Sequence, residues 1–470
     1  MADRARYFFC GVGGSGMLPL AAIVKARGGD VSGSDRALDQ GRSGDKFDYL
    51  RALGVRLFPQ DGSGVDNADQ IIVASAAIEE TVPDIAAANR VGAKRMTRAA
   101  FLASLFNASP RSIAIGGTSG KSTTTAMIGW ILHATGAAPT VMNGAVMKNF
   151  LTDGPYASAV IGAGDTFVSE VDESDGSIAL FDPTIAVLNN ISLDHKPMDE
   201  LRALFGDFIK KANHAVVNLD NDETRLLLSS LQKIDGDAGR FVTFSLNDES
   251  ADIAASCVAA LPAGFRFEAT YKNVTATITL AMPGLHNVSN ALAALGAAIA
   301  CGVEFSDAAA ALSTFRGVKR RFDVVGEAHG VTVIDDFGHN PDKIAATLNT
   351  LNTFPGRLLV MFQPHGFGPL RKMRQELIDA FIENLSPDDH LLMPAPVYFG
   401  GTADKSVTNT DIVDGVAAAD RNAHAFDHRD QCAEWLAREA RPGDRVVVMG
   451  ARDDTLSEFA ASVLAAIAAR

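Results

Sequence analysis

The chain has 470 residues, 47% of them hydrophobic and 21% charged, with a formal net charge of −14 at pH 7. That is material for about three domains with buried cores, and the acidic balance excludes generic affinity for nucleic acid or an anionic membrane, which needs a basic surface. Anionic ligands must then be held by local devices: glycine loops, helix N-termini and single Lys or Arg side chains. Cys10, Cys257, Cys301 and Cys432 stand far apart without C-x-x-C spacing and read as free thiols in a reducing cytoplasm. No long apolar core precedes the first glycine loop, so no signal peptide is read. The longest apolar run, 291–303, is too short to cross a bilayer. The expectation is a soluble cytoplasmic protein with neither nucleic acid nor membrane as partner.

In chain order, "RYFFCGV" predicts a strand, "GMLPLAAIVKARG" a helix and "GDVSGSD" a second strand. "VRLF" and "QIIVASAA" continue the alternation, and such βαβ order predicts a parallel sheet. "FNASPRS", around Pro110, reads as a linker. A second piece opens on "SIAIGGTSGKSTTTAMIGWILHATG", again strand, loop and helix. It runs through "DTFVSEVDESD" and "TIAVLNNISLDH", apolar strands that end in acidic or His residues. A third piece follows "FRGVKRRFD" and holds "VTVIDDFGHNPDKIAATLNTL", "GRLLVMFQPHG" and "DRVVVMGARDD". The fold class expected is α/β with three domains, at 1–108, 109–318 and 319–470. In open α/β sheets ligands bind at the C-terminal ends of the strands, where every candidate below falls.

"GVGGSG" (Gly11, Gly13, Gly14, Gly16) matches G-x-G-x-x-G between strand and helix, and Asp35 ends the next strand, where an acid can accept from a ribose hydroxyl. This pattern does not distinguish NAD from a UDP-sugar, since both present a diphosphate. "GGTSGKST" is the sharper signal. Gly117 and Gly120 let backbone N–H groups face phosphate, Lys121 reaches the β/γ-phosphates and Ser122 can ligate Mg²⁺. Hard oxygen ligands for that ion are on offer in "SEVDESD" (Glu170, Asp172, Glu173, Asp175) and in "NNISLDH" (Asp194, His195). "PGLHNVSNALAA" puts His286, Asn287 and Asn290 at a helix start, suited to capping or to adenine and phosphate contacts. Lys319, Arg320 and Arg321 sit at the junction of the second and third pieces, either solvated or able to offset phosphate charge. His365, Arg371, Lys372, Arg374 and Arg452 lie at third-piece strand ends and, as a group, suit an acidic substrate.

The order "GVGGSG…VSGSD", "GGTSGKSTTT", "DESDGS", "NNISLDH", "PGLHNVSNALAA", "FRGVKRRFD", "DDFGHNP", "FQPH" resembles the Mur ligases of peptidoglycan synthesis, within them the branch that uses UDP-N-acetylmuramate. The resemblance runs almost end to end. It implies a Rossmann-like N-terminal domain for the UDP-sugar, a central P-loop ATPase-like domain and a C-terminal Rossmann-like domain that binds the incoming amine. It implies that Gly13, Gly14, Ser15, Asp35, Ser75 and Arg98 contact the uridine diphosphate. ATP falls to Gly117, Thr118, Gly120, Lys121, Ser122, Thr123, Asn290, Asp336 and either Arg320 or Arg321, of which Arg321 in "RRFD" is the closer match. Ser122, Glu173 and His195 become the Mg²⁺ ligands, and His339 lies at the reacting edge.

The chemistry implied is ATP-dependent amide formation. The lactyl carboxylate of UDP-N-acetylmuramate attacks the γ-phosphate, giving an acyl phosphate and ADP, and an amine then displaces phosphate. Two cations and Lys121 offset the charge gathered there, and domain closure keeps water from the acyl phosphate. Three departures bear on the amine: "FQPH" continues as "GFGPLRKMR", "MGAR" replaces the usual "MGAG", and Asn340 stands where the branch has a histidine. Glycines at 366 and 368, with His365, Arg371, Lys372, Arg374 and Arg452 as cations for several carboxylates, make the expected amine a murein peptide, L-Ala-γ-D-Glu-meso-diaminopimelate. The alternative is L-alanine. A nicotinamide oxidoreductase built on "GVGGSG" and Asp35 leaves the P-loop and acidic motifs unexplained. Lys210 and Lys211 do not match the position of the carbamoylated lysine found in several Mur ligases.

Overall fold

The computed structural model describes residues 5–76, 78–151, 156–193, 196–235, 238–261, 264–397, 404–451, 453 and 455–470. Its strands lie in three sheets. In the first, β1 (Arg6–Cys10), β2 (Asp30–Ser34), β3 (Arg56–Phe58), β4 (Gln70–Ala74) and β5 (Lys94–Thr97) pair in the order β3-β2-β1-β4-β5, all parallel. This is a doubly wound, Rossmann-like order. The chain reverses its direction of travel between β1 and β4 and leaves a crevice beyond their carboxyl ends. Phe8 and Phe9 are both fully buried but join different clusters, Phe9 with Leu20 and Phe101, Phe8 with Ile72 and Ile85. Both faces of β1 are therefore covered, as a parallel sheet requires.

The second sheet contains β6 (Arg111–Gly116), β7 (Thr140–Met142), β8 (Ala159–Val160), β9 (Thr166–Glu170), β10 (Ile185–Leu188), β11 (His214–Asn218), β12 (Phe241–Ser245), β13 (Ile253–Leu261), β14 (Gly264–Tyr271) and β15 (Val274–Leu280). Their order is β15-β14-β13-β12-β11-β10-β6-β9-β7-β8. β6 lies between β10 and β9 and runs parallel to both, so the loop after β6 opens between their C-terminal ends. All four residues of β10 are buried, which accounts for its unbroken apolar run. The third sheet is β16 (Asp323–Ala328), β17 (Val331–Asp336), β18 (Leu358–Gln363), β19 (His390–Pro394), β20 (Asn422–Phe426) and β21 (Arg445–Gly450), in the order β16-β17-β21-β18-β19-β20. It is parallel apart from the β16–β17 hairpin.

The chain forms two compact units: Met1–Ala259, Arg266–Ala281 and His286–Arg316 make one, and Ala260–Phe265, Met282–Leu285 and Gly317–Arg470 the other. The first unit thus carries two of the three sheets. Inside it Phe106, from the helix Arg98–Asn107, meets Phe167 edge-on at 5.7 Å and Phe181 at 5.2 Å. Arg27 lies over Phe167 at 5.2 Å, and Tyr49 meets Tyr156 at 5.0 Å. The segment read as a linker shrinks to residues 108–110 between that helix and β6, too few to hold the two sheets apart. Among the described residues no helix is long and apolar enough to cross a membrane.

Candidate functional site

The first glycine loop leaves β1 and is tied to the end of β2. Gly11 and Val12 donate their amides to Ser34 O at 2.8 and 2.9 Å. The Asp35 carboxylate accepts from the Gly13 amide (2.9 Å) and, as N-cap of the short helix Arg36–Asp39, from the Ala37 amide (2.8 Å). Asp35 therefore helps to hold the loop in place. A pocket of about 370 Å³ opens at the β1–β4 switch point and is walled by Gly14, Ser15, Ser75 and Arg98, with Gln60 and Ile78 among its other lining residues. Gln60 and Ile78 carry no motif and reach the pocket only through the fold. Beneath it the fully buried Asp84 accepts from Ser34 Oγ (2.5 Å), the Gly62 amide (3.0 Å) and Cys10 Sγ (3.6 Å). Burial raises the Asp84 pKa, and burial, with Asp84 beside it, pushes the Cys10 thiol up to about 12.

The second loop follows β6. Gly120 has φ +80°, and a Cβ there would run into Asn290 Oδ1, so the loop closes against the helix Leu285–Ala300 only because no side chain intervenes. Lys121 Nζ donates to Gly117 O and pairs with Glu173 Oε2, both at 2.7 Å. Ser122 Oγ donates to Glu170 Oε2 at 2.7 Å. Thr118 Oγ1 and the Ser119 amide both donate to Asn190 Oδ1, at 2.8 and 2.9 Å, which fastens the loop to the end of β10. Thr123 is buried in the helix Lys121–Ala134. Asn290 accepts from Thr124 Oγ1 at 3.3 Å and is held by Asn287 at 3.2 Å, so it buttresses the loop. Burial raises Asp172, but hydrogen bonds from Ser174 and then the charges of Lys121 and Arg98 outweigh it and hold the carboxyl below its usual range.

His195 and Asp194 lie outside the described residues. Among those described, no group of three or more His, Cys, Asp or Glu side chains converges to hold a metal. The oxygens near the loop, Ser122 Oγ and the Glu170 and Glu173 carboxylates, are of the hard kind that Mg²⁺ takes. Lys211 pairs with Asp182 and donates to Ala179 O, so it is engaged away from the loop.

In the second unit the two arginines offered as alternatives separate. The Arg320 guanidinium pairs with Asp335 (3.4 Å) and donates to Gly450 O (2.6 Å) and Asp453 O (2.9 Å), which spends it inside its own unit. Arg321 lies over the Phe337 ring at 4.3 Å. Asp336 is likewise committed: it accepts from the Phe322 and Gly338 amides, both at 2.8 Å, and from Thr347 Oγ1 at 3.0 Å. His339 Nδ1 sits 2.9 Å from Phe337 O, the arrangement of a donated Nδ1–H that leaves Nε2 as an acceptor. Burial pushes its pKa down to about 4, and His365 meets it edge-on at 5.5 Å. Phe337, between Arg321 and His339, was not singled out from the sequence. Asn340 caps the helix Pro341–Leu351 by accepting from the Lys343 amide at 2.9 Å.

Two of the cations expected to receive substrate carboxylates lie beside acidic side chains. Arg371 pairs with Asp404, and Arg374 lies 3.5 Å from Asp411. Arg452 lies outside the described residues.

Three family models match the chain in order: "Mur ligase family, catalytic domain" over residues 6–110, "Mur ligase middle domain" over 115–298, and "Mur ligase, glutamate ligase domain" over 320–452. The chain is 33% identical to a UDP-N-acetylmuramate–L-alanine ligase of Desulfosudis oleivorans, with 95% of each chain covered. It is 34% identical to one of Novosphingobium aromaticivorans, with 98% of this chain and 96% of that one covered. Among solved structures it is similar to the UDP-N-acetylmuramate–alanine ligase of Thermotoga maritima (TM-score 0.77, 23% identity, 98% of each chain covered). It is also similar to a murein peptide ligase of Psychrobacter arcticus (TM-score 0.70, 24% identity, 99% of each). At those identities the structural likeness is one of fold.

Proposed function

The chain belongs to the Mur ligase family of ATP-dependent ligases, and we propose that it joins the lactyl carboxylate of UDP-N-acetylmuramate to the amine of L-alanine in the cytoplasm. The observation that supports the nucleotide assignments is that one unit carries both a pocket at the β1–β4 switch point, walled by Gly14, Ser15, Ser75 and Arg98, and a P-loop whose Lys121 and Ser122 are held by Glu173 and Glu170. In this reading the first loop holds the sugar nucleotide and the second the triphosphate. Gly14, Ser15, Ser75 and Arg98 hold the UDP-sugar, with Asp35 fixing their loop. Lys121, Ser122 and the loop amides hold the ATP phosphates. Ser122, Glu173 and His195 are the proposed Mg²⁺ ligands, and the ion, when bound, offsets phosphate charge. Of the two arginines Arg321 is the closer match to the family's element, and Arg320 is engaged by Asp335, Gly450 and Asp453.

For the amine, L-alanine, the alternative in the sequence analysis, is better supported than the murein peptide placed first there. Relatives at 33–34% identity over nearly the whole chain carry the L-alanine name. The pairing of Arg371 with Asp404 and of Arg374 with Asp411 weakens the cationic group on which the peptide rested. Phosphate release measured with UDP-N-acetylmuramate, ATP, Mg²⁺ and a panel of amino acids and murein peptides tests this. L-alanine should give the highest kcat/KM; a murein tripeptide that exceeded it would restore the peptide, and no turnover with any amine would remove the ligase assignment.

A further inference from the structure

We propose that His390 and His424 form a proton-sensitive clasp in the third sheet, closed while one hydrogen is shared between the two rings and opened when both imidazoles are protonated. Opening releases the helix Arg429–Glu439 from β19 and β20. The inference goes beyond the ligase reading and uses no residue placed in either nucleotide site. His390 begins β19, and His424 lies on β20 in register with Leu392, two residues further along. His390 Nδ1 and His424 Nε2 are 3.1 Å apart, with the ring planes within 17° of parallel. Trp435, from the helix, meets both rings, its centroid 5.0 Å from that of His390 and 5.2 Å from that of His424. All three side chains are half-buried, so protons from solvent reach the pair.

A neutral imidazole has one N–H and one lone pair, so the two rings meet through a single N–H···N bond, whichever of them donates. One added proton goes to the outer nitrogen of the donor ring, and the bond survives. A second must take the lone pair that faces the donor, which leaves N–H against N–H with no acceptor between them. The surrounding charges do not cancel this. Glu439, on the helix, favours protonation of both rings; Asp389 favours it and Arg357 opposes it at His390. Arg357 is held by Asp444 at 2.7 Å, and Asp389 accepts from the Leu358 and Ser386 amides at 2.6 and 2.7 Å. Burial outweighs the acids and holds both imidazoles below their usual pKa, with His424 adding to the effect at His390. The folded pair therefore binds fewer protons than the unfolded chain below the ordinary value of 6.5, and the clasp weakens as pH falls through that window.

The chain has two tryptophans, so fluorine NMR of protein labelled with 5-fluorotryptophan gives two resonances, which W130F assigns. This local probe separates the pair from other histidines that titrate in acid. As pH is lowered from neutrality through the window below 6.5, the Trp435 resonance should move, and amide hydrogen exchange in 429–439, corrected for its intrinsic pH dependence, should quicken. In H424Q the proton on His390 no longer meets a second positive charge, so the movement should be complete at a pH about one unit higher than in wild type. H390Q should behave alike, because each ring limits the other. In H390Q/H424Q the Trp435 resonance and the exchange of the helix should no longer respond. A wild-type Trp435 resonance that stays fixed through the window, or the same titration in H424Q as in wild type, overturns the inference. Helix exchange that remains as pH-dependent in the double variant as in wild type overturns it too. If the double variant does not fold, the comparison of H424Q with wild type decides alone.

Discussion

Arg320→Ala separates a structural arginine from an ATP-binding one. Its side chain is 11% exposed, its partner Asp335 1%. Truncation deletes the ion pair at 3.4 Å and the donations to Gly450 O and Asp453 O at 2.6 and 2.9 Å. Asp335 is left buried with the Ser457 hydroxyl, 2.7 Å away, still donating to it. Breaking a buried pair from one side costs about 3–5 kcal/mol. For a unit of this size that is a fall of roughly 6–20 °C in Tm. Differential scanning calorimetry, with hydrogen exchange of the β17 and β21 amides to identify the melting unit, reads it. Burial already raises the Asp335 pKa, and without Arg320 it rises further, so the folded variant binds a proton before the unfolded chain does. The deficit against wild type should therefore shrink as pH falls, and D335N in the R320A background should recover part of it. A variant that melted within about 2 °C of wild type, or that kept its Tm but lost ATP binding, would refute the argument and return Arg320 to the ATP site.

Lys121→Ala should lower kcat by about 10²–10³, the usual loss for a preorganised donor to transition-state charge, while calorimetry shows UDP-N-acetylmuramate still bound; near wild-type turnover would remove the P-loop assignment. Asp35→Ala should raise the KM for UDP-N-acetylmuramate and leave the KM for ATP alone, since it frees the Gly13 amide. Loss of its cap costs about 1 kcal/mol, and tight NAD binding that depended on Asp35 would instead revive the oxidoreductase. His339, with its folded pKa down at about 4 against an ordinary value near 6.5, binds fewer protons folded than unfolded between those two values. Stability should fall as pH drops through that window, by about 3 kcal/mol, and urea titrations of H339Q should show a shallower fall; equal slopes would refute the shift.

Much of this protein is legible in one dimension, because some chemistry demands contiguous residues. A phosphate loop needs its glycines, lysine and serine within one turn between a strand and a helix, so "GGTSGKST" identifies itself. The α/β alternation and the strand ends that bear the candidates are equally local, because apolar runs covered on both faces leave no other arrangement. What the sequence could not apportion was the use of each charged group. Asp35 reads from its position as a ribose ligand, and only the fold shows that its two oxygens also accept from the Gly13 and Ala37 amides. Arg371 and Arg374 suggest an acidic substrate from their positions, and only the fold shows Asp404 and Asp411 beside them.

The same holds for the acidic run, where every carboxylate is chemically eligible for the metal. Glu170 meets Ser122 across a separation of 48 positions and Glu173 meets Lys121 across 52. Arg320 finds Asp453 O across 133, and both it and its neighbour Arg321 lie over the Phe337 ring. A charged side chain's role depends on whether its charge is already satisfied, and the satisfying partner comes from another strand end. Sequence therefore determined which chemistry the chain can carry, through patterns that a single turn must contain. Tertiary structure decided how each charged residue is paired, because electrostatic pairing acts over a few ångströms in space regardless of distance along the chain.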